Sequence, residues 1–164
     1  MTEYFSGFPK IVYNGKQIKD ITIRLDFLRR IKDNLSIFQY VQIQHGERPE
    51  DVANRYYNDP NLYWIVLYMN DIVDPYYDWL LTDDQLHAHA LTKYENINAT
   101  HHYETTALSE LGEGVIVDSE ALSKIAITNL SYEQTQNELK RKIKILKKEY
   151  IPQVLAEYRS ELRK

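Results

Sequence analysis

The chain has 164 residues, no cysteine and a formal net charge of −4, and fourteen of its residues are tyrosine. This length suits one compact domain with an appendage, and the absence of cysteine excludes a disulfide framework or a cysteine-ligated zinc site. The opening MTEYFSGFPK lacks the apolar run of a signal peptide, and the most hydrophobic stretch, Tyr63 to Met69, is too short to span a bilayer. A soluble protein, made in the cytosol and not itself exported, is expected.

The charge is unevenly spread. From Ser131 onward there are nine Lys and Arg against five Glu, whereas the preceding residues hold eleven basic against nineteen acidic side chains. An acidic body with a basic tail favours complementary protein surfaces. The basic residues are not interleaved with stacking aromatics, so nucleic acid is not an expected partner.

Residues 1–20 read as an extended arm. Phe5, Phe8, Ile11, Val12 and Tyr13 are apolar without helical spacing and are broken by Gly7, Pro9 and an Asn14-Gly15 turn. Such an arm seeks a partner, which makes Phe5 and Phe8 candidate interface residues. Ile21, Ile23 and Leu25 alternate as a short strand, and Phe27, Leu28, Ile31 and Leu35 give a helical face ending near Asn34; two short strands and a turn fit the same segment.

Phe38 to Gln44 has the β-branched and aromatic content of a half-buried strand. Pro49 suits a first helical turn, and Glu50 and Asp51 complement the helix dipole, which predicts a helix from Pro49 to Tyr57. Asn58 and Asp59 turn the chain, with Asp59 capping a second helix that opens at Pro60. In it Leu62, Ile65, Val66 and Met69 form one stripe, while Tyr63, Trp64, Leu67 and Tyr68 fill much of the remaining circumference. Asp74-Pro75 then breaks the helix. Eight Tyr and Trp lie between Tyr56 and Trp79. Core packing accounts for Tyr56 and Trp64; Tyr76, Tyr77 and Trp79, beyond the break, read as an interface.

Thr82 caps a helix predicted to run to about Tyr94, with Asp83 and Asp84 in its first turn. Residues 95–130 read as a small β region or a partner-ordered extension, with His102–Ala107, Val115–Val117 and a run ending at Ile127 as its strand-like pieces. Ser131 and Gln134 match a capping box. Leu139, Ile143, Leu146 and Tyr150 then follow at heptad spacing, the seam of a long terminal helix flanked by Lys140, Arg141 and Lys144. Pro152 kinks or restarts that helix, and Val154, Leu155, Tyr158 and Leu162 continue an apolar face.

No catalytic or metal motif emerges. His87 and His89 point to different faces of a helix, His101 and His102 are adjacent, and no H-E-x-x-H is present. Asp83-Asp84 and Glu50-Asp51 sit at helix starts, where the dipole accounts for them. The expectation is a non-enzyme with no cofactor and no metal.

The Gly46 turn, the first helix EDVANRY, the second helix ending in Met69-Asn70, and Ile72 resemble the LysM module, a β-α-α-β unit whose cell-wall-binding members hold N-acetylglucosamine polymers. The resemblance implies a groove at Gly46, Glu47 and Arg48 on one side and at Asn70, Asp71, Ile72 and Val73 on the other. The module's usual closing strand is replaced here by Asp74-Pro75-Tyr76-Tyr77-Asp78-Trp79. A longer match joins GERPEDVANRYYNDPNLYWIVLYMNDIVDPYYDW with YFSGFPKIVYNG, DITIRLDF and SYEQTQNELKRKIKILKKEYI. Together these resemble the small baseplate wedge subunit of contractile-tailed, T-even-like bacteriophages, the gene-fifty-three product family. That resemblance implies a structural virion protein of the tail baseplate, made in the host cytoplasm, whose partners are other wedge and hub proteins and neighbouring wedges. Membrane is not among the partners, and a LysM-type peptidoglycan-binding module stands as the alternative.

The expected fold is α+β: a small LysM-like β-α-α unit with an extended N-terminal arm and a long C-terminal helix. Its divisions are 1–36 for the arm with a strand or helix, 37–80 for the LysM-like core, 81–130 for a helix and small β extension, and 131–164 for the helical tail.

Overall fold

In a computed structural model of the chain, residues 4–22, 31, 34–106 and 114–162 are described. In chain order these form β1 (Lys10–Tyr13), β2 (Lys16–Lys19), β3 (Phe38–Gln42), α1 (Pro49–Tyr57) and α2 (Tyr63–Met69). Then come α3 (Asp83–Lys93), β4 (Thr100–Thr105), β5 (Ile116–Val117), β6 (Lys124–Thr128), α4 (Asn129–Leu139), β7 (Lys142–Leu146) and α5 (Ile151–Glu161). The class is α+β. Two compact units result, one of Met1–Trp79 with Lys142–Lys164 and the other of Leu80–Arg141. The strand expected from Ile21 to Leu25 and the helical face expected from Phe27 to Leu35 fall mostly outside the described residues.

In the first unit β3 and β7 pair antiparallel, with Phe38 opposite Leu146 and Gln42 opposite Lys142. The strand that closes the β-α-α-β order therefore comes from residues 142–146, after the whole second unit, and not from the segment following Asp74. This also corrects the long C-terminal helix. Leu139 ends α4, Ile143 and Leu146 lie on β7, and Tyr150 ends a 3₁₀ turn, Lys148–Tyr150, ahead of α5. The sequence Lys-Ile-Lys-Ile has a period of two as well as fitting a heptad, and Ile143 and Ile145 point together into the core. Pro152 restarts a helix, as its position within the first two residues of α5 requires.

The local signals at α1 fix its ends. Arg48 caps it, its backbone N–H donating to Asp51 Oδ2 at 3.0 Å. Asn58 ends it in a left-handed conformation, φ 60°. Asp59 accepts from the Asn61 N–H, and a 3₁₀ turn, Pro60–Leu62, leads into α2. The helix α2 ends in a Schellman motif: Asp71 stands at φ 57°, and the Ile72 N–H reaches back to the Leu67 carbonyl at 3.1 Å. Val52 and Ala53 of α1, Ile65, Val66 and Met69 of α2, and Ile145 and Leu146 of β7 have essentially no exposed surface, and they form the core of this unit.

The arm is only partly an arm. Tyr4 packs its ring 5.1 Å from Trp64 and 6.1 Å from Tyr158 of α5, and the Tyr158 hydroxyl donates to the Tyr4 carbonyl. Gly7 passes so close to α5 that a Cβ there would stand 2.9 Å from Leu162 Cδ1. Beyond this anchored stretch β1 and β2 form a hairpin around Asn14-Gly15.

The second unit sets α3 against α4 with a three-stranded antiparallel sheet in the order β5-β4-β6. Thr82 and Gln85 make the capping box of α3. The start of α4 differs from expectation: Thr128, at the end of β6, is the cap, and its hydroxyl oxygen accepts the Ser131 N–H at 3.1 Å.

Candidate interaction surface

Residues 71–79 follow the Schellman turn as a loop held by its own polar groups. Asp78 Oδ2 accepts the N–H groups of Val73 and Asp74 at 3.1 and 2.9 Å, while Asp74 Oδ1 accepts the Tyr76 N–H at 2.9 Å. The Asp74 carbonyl accepts the N–H groups of Tyr77 and Asp78. These bonds fix the backbone while the apolar side chains project outward, with Val73 at 90% and Tyr76 at 83% relative exposure and Tyr77 also exposed. A rigid backbone presenting amphipathic rings loses little conformational entropy on association.

Trp79 does not share that surface. It is only 5% exposed, and its indole N–H donates to the Glu47 carbonyl at 2.8 Å, tying the loop to the turn between β3 and α1. Phe8, also 5% exposed, belongs to the aromatic cluster with Tyr4 and Phe5, whose rings lie 5.2 Å from its own. Phe5 remains exposed. Aromatic residue type alone does not separate an anchor inside the fold from an anchor for a partner; burial does.

The candidates in the tail divide similarly. Leu139 is 69% exposed at the end of α4, but Ile143 and Leu146 are buried in β7 and unavailable as a helical seam. Tyr150 is half-buried. Lys140 and Arg141 are half-buried too, and Arg141 makes a two-pronged ion pair with Glu138, both bonds at 2.7 Å, which raises its pKa above the ordinary arginine value. Lys144 lies over the buried Phe38 ring at 5.5 Å and Lys142 over the exposed Tyr40 ring at 5.0 Å.

The two turns expected to flank a groove carry internal bonds. Gly46 has φ 73°, which permits the tight turn. Glu47 Oε2 accepts from the Gln44 N–H at 2.8 Å and from Arg55 Nη2 at 2.9 Å. Arg48 is exposed and serves as the cap of α1. Asn70 is half-buried and spends its whole amide on backbone: Nδ2 donates to the carbonyls of Val66 and Lys144, and Oδ1 accepts the Lys144 N–H. Of the second turn, Asp71 and Val73 are exposed and Ile72 is half-buried.

The second unit has a buried polar stripe that sequence reading missed. Asn129, Glu133 and Asn137, four apart on α4, are all buried. Asn129 donates to the Asn96 carbonyl, Glu133 Oε1 accepts from Lys93 Nζ at 2.7 Å and Tyr94 Oη at 2.8 Å, and Asn137 bonds both the N–H and the carbonyl of Leu81. Burial acts to raise the Glu133 pKa, but Lys93 and Tyr94 outweigh it and hold the carboxyl below its ordinary value. Nearby, His101 stacks on Tyr132 at 4.0 Å, and His102 Nε2 lies 2.9 Å from Glu104 Oε1. Among the described residues no group of three or more His, Asp or Glu is placed to hold a metal ion, and no helix is long and apolar enough to cross a membrane.

The family of "Base plate wedge protein 53" matches residues 5–116, well over half of the chain. The chain is also similar to the "Baseplate wedge protein gp53" of Enterobacteria phage T4, with 35% identity over 72 residues. That alignment covers 44% of this chain and 36% of the T4 protein, about a third of the relative's length.

Proposed function

Since the chain belongs to the base plate wedge protein 53 family, we propose that it is a structural, non-enzymatic component of a contractile-tail baseplate. It sits in the wedge of the virion and joins neighbouring wedges through protein–protein contacts with other wedge and hub proteins. The observation that carries this reading beyond family membership is the loop from Val73 to Asp78, which holds its backbone rigid and turns Val73, Tyr76 and Tyr77 outward. Exposed apolar groups on a pre-ordered frame are the chemistry of a docking surface.

The order β3, α1, α2, β7 supports a LysM-like scaffold as the body from which this loop projects. The peptidoglycan alternative draws less support from the same turns. Glu47 and Asn70 direct their polar atoms at the protein's own backbone and at Arg55, and the Trp79 indole donates to the Glu47 carbonyl. A scaffold used for holding protein accounts for exposed Tyr76 and Val73 as well.

The test is complementation of a phage lacking this gene with the Val73→Ser, Tyr76→Ser, Tyr77→Ser variant. The purified variant is expected to keep the circular dichroism and melting temperature of the parent, while baseplates counted by electron microscopy fall in number. Normal baseplates, or virions whose baseplates contain none of the unsubstituted chain, overturn the proposal. Retention of the chain on insoluble peptidoglycan, lost on changing Arg48 or Asp71, would favour the alternative.

A further inference from the structure

The β1–β2 hairpin is the one described strand pair with all eight residues exposed. Its root is fixed: Phe8 is buried, Lys19 Nζ donates to the Phe5 carbonyl at 2.7 Å, and the Asp20 N–H donates to the Pro9 carbonyl at 2.8 Å. Its tip is a two-residue turn in which Asn14 has φ 49° and Gly15 φ 73°, the conformation that matches the twist of an antiparallel pair. Register runs from Lys10 opposite Lys19 to Tyr13 opposite Lys16. Ladder bonds recur every second residue, so the Asp20–Pro9 bond makes Ile11–Ile18 and Tyr13–Lys16 the bonded pairs and turns the backbone N–H and C=O groups of Val12 and Gln17 outward.

Three properties of this hairpin specify what it takes. Its outward backbone groups call for an extended chain lying alongside, and a two-stranded ribbon on its own is marginal. Ile11, Tyr13 and Ile18 share one face and Val12 lies on the other, all of them exposed, which calls for apolar side chains on the incoming segment. Lys10, Lys16 and Lys19 are its charged residues, with no acid between positions 10 and 19. Pairing with the same hairpin of a second copy would bring like charges together, which strand edges use to prevent self-association. An acidic segment neutralises them.

From this we infer that the hairpin is a docking strand for an extended segment of a different protein, in which Asp or Glu alternates with apolar residues, and which adds a third strand. The inference rests on the wedge reading, because it supplies one of the contacts that reading requires. Strand addition draws affinity from the backbone ladder and specificity from alternate side chains.

The experiment places the photo-cross-linking residue p-benzoylphenylalanine at Val12 of the full chain in phage-infected cells, with the same probe at Tyr76 as a second arm. Purified baseplates are irradiated and the adducts mapped by mass spectrometry. A Val12 adduct on an acidic, extended segment of another baseplate protein is expected. Adducts to a second copy of this chain, or none at Val12 while the chain is present in the baseplate and reacts at Tyr76, overturn the hairpin inference and leave the wedge reading standing. Absence of the chain from baseplates overturns both. Independently, Lys10→Glu with Lys16→Glu should leave the circular dichroism unchanged and lower incorporation by about tenfold. Lys10→Arg with Lys16→Arg should retain it. Equal incorporation of the Glu and Arg variants overturns the inference.

Discussion

Asn70 grips the backbone of Lys144 from both sides: its Nδ2 donates to the Lys144 carbonyl at 2.8 Å, and its Oδ1 accepts the Lys144 N–H at 2.9 Å. One side chain at the end of α2 thereby completes a ladder pair on β7, 74 positions later. The second unit repeats the device, with Asn137 gripping Leu81 at 2.9 and 3.0 Å. An amide matches this task because it carries one donor and one acceptor with the spacing of a peptide group.

Replacing Asn70 by Ala removes both bonds and leaves polar backbone of a core strand without its partner. We expect a loss of about 2–3 kcal/mol in urea unfolding. Asn70→Asp keeps the acceptor but sets a carboxylate against the Lys144 carbonyl, so it should be no better than Ala above the carboxylate range. A cost under about 0.5 kcal/mol for Asn70→Ala would show that the grip contributes nothing net.

Trp79 separates two roles that its residue type confuses. Trp79→Phe keeps an aromatic ring in the core but cannot donate to the Glu47 carbonyl, and is expected to cost about 1–2 kcal/mol. Trp79→Ala opens a cavity and should cost about 3–5 kcal/mol. Tyr76→Ala, on the exposed part of the same loop, should stay within about 0.5 kcal/mol of the parent. Melting curves of the three variants check the order.

Glu133 makes the second unit sensitive to acid. Its carboxyl is held below the ordinary value in the folded protein, so its contribution to stability is present above the unfolded glutamate range and is lost as pH falls through the lowered folded value. Glu133→Gln should cost about 1 kcal/mol at pH 7 and reduce the decline in stability on acidification below about pH 4.3. Unfolding followed at a probe within residues 80–141 across that range provides the measurement. Parallel pH curves for parent and variant would contradict the assignment.

The Tyr57 hydroxyl is buried beside the Leu146 backbone without a well-formed hydrogen bond, and its burial raises its pKa. Tyr57→Phe removes an oxygen that lost its water on folding and found no good partner. The substitution should be neutral or stabilising by up to about 1 kcal/mol, read from the denaturant midpoint. A clear destabilisation would point to a bond formed in solution.

Local punctuation carried most of what was legible before the structure. Pro49 and Asn58 bound α1, Thr82 starts α3, and Asn14-Gly15 turns the hairpin, because a cap or a positive φ is decided by a few neighbouring residues. The residues of β7 fit a heptad as well as a period of two, and what decides between them is the partner β3, which lies far back in the chain and which no local signal reports. The buried face of α4 carries no apolar signal for a different reason: Asn129, Glu133 and Asn137 are polar, and they are buried because each meets a polar partner. Of the candidate interface residues, Tyr76 and Tyr77 are exposed, whereas Trp79, also beyond Pro75, and Phe8, in the arm, share their aromatic type but turn inward. The hairpin strands are legible in the sequence only as an apolar arm with a turn, since periodicity over four residues does not reveal which backbone groups remain unpaired.

The position of β7 also sets an order of events during synthesis. The unit from Leu80 to Arg141 is continuous in sequence, so its contacts can form as soon as it has left the ribosome. The unit containing α1 and α2 has to wait with its buried face open until Lys142–Leu146 emerges to pair with β3. Closure over so long a loop is slow compared with local helix formation. The nascent chain thus carries its most apolar segment, Tyr63–Met69, unfinished until Lys142–Leu146 has been added, and that interval is when a chaperone has something to hold.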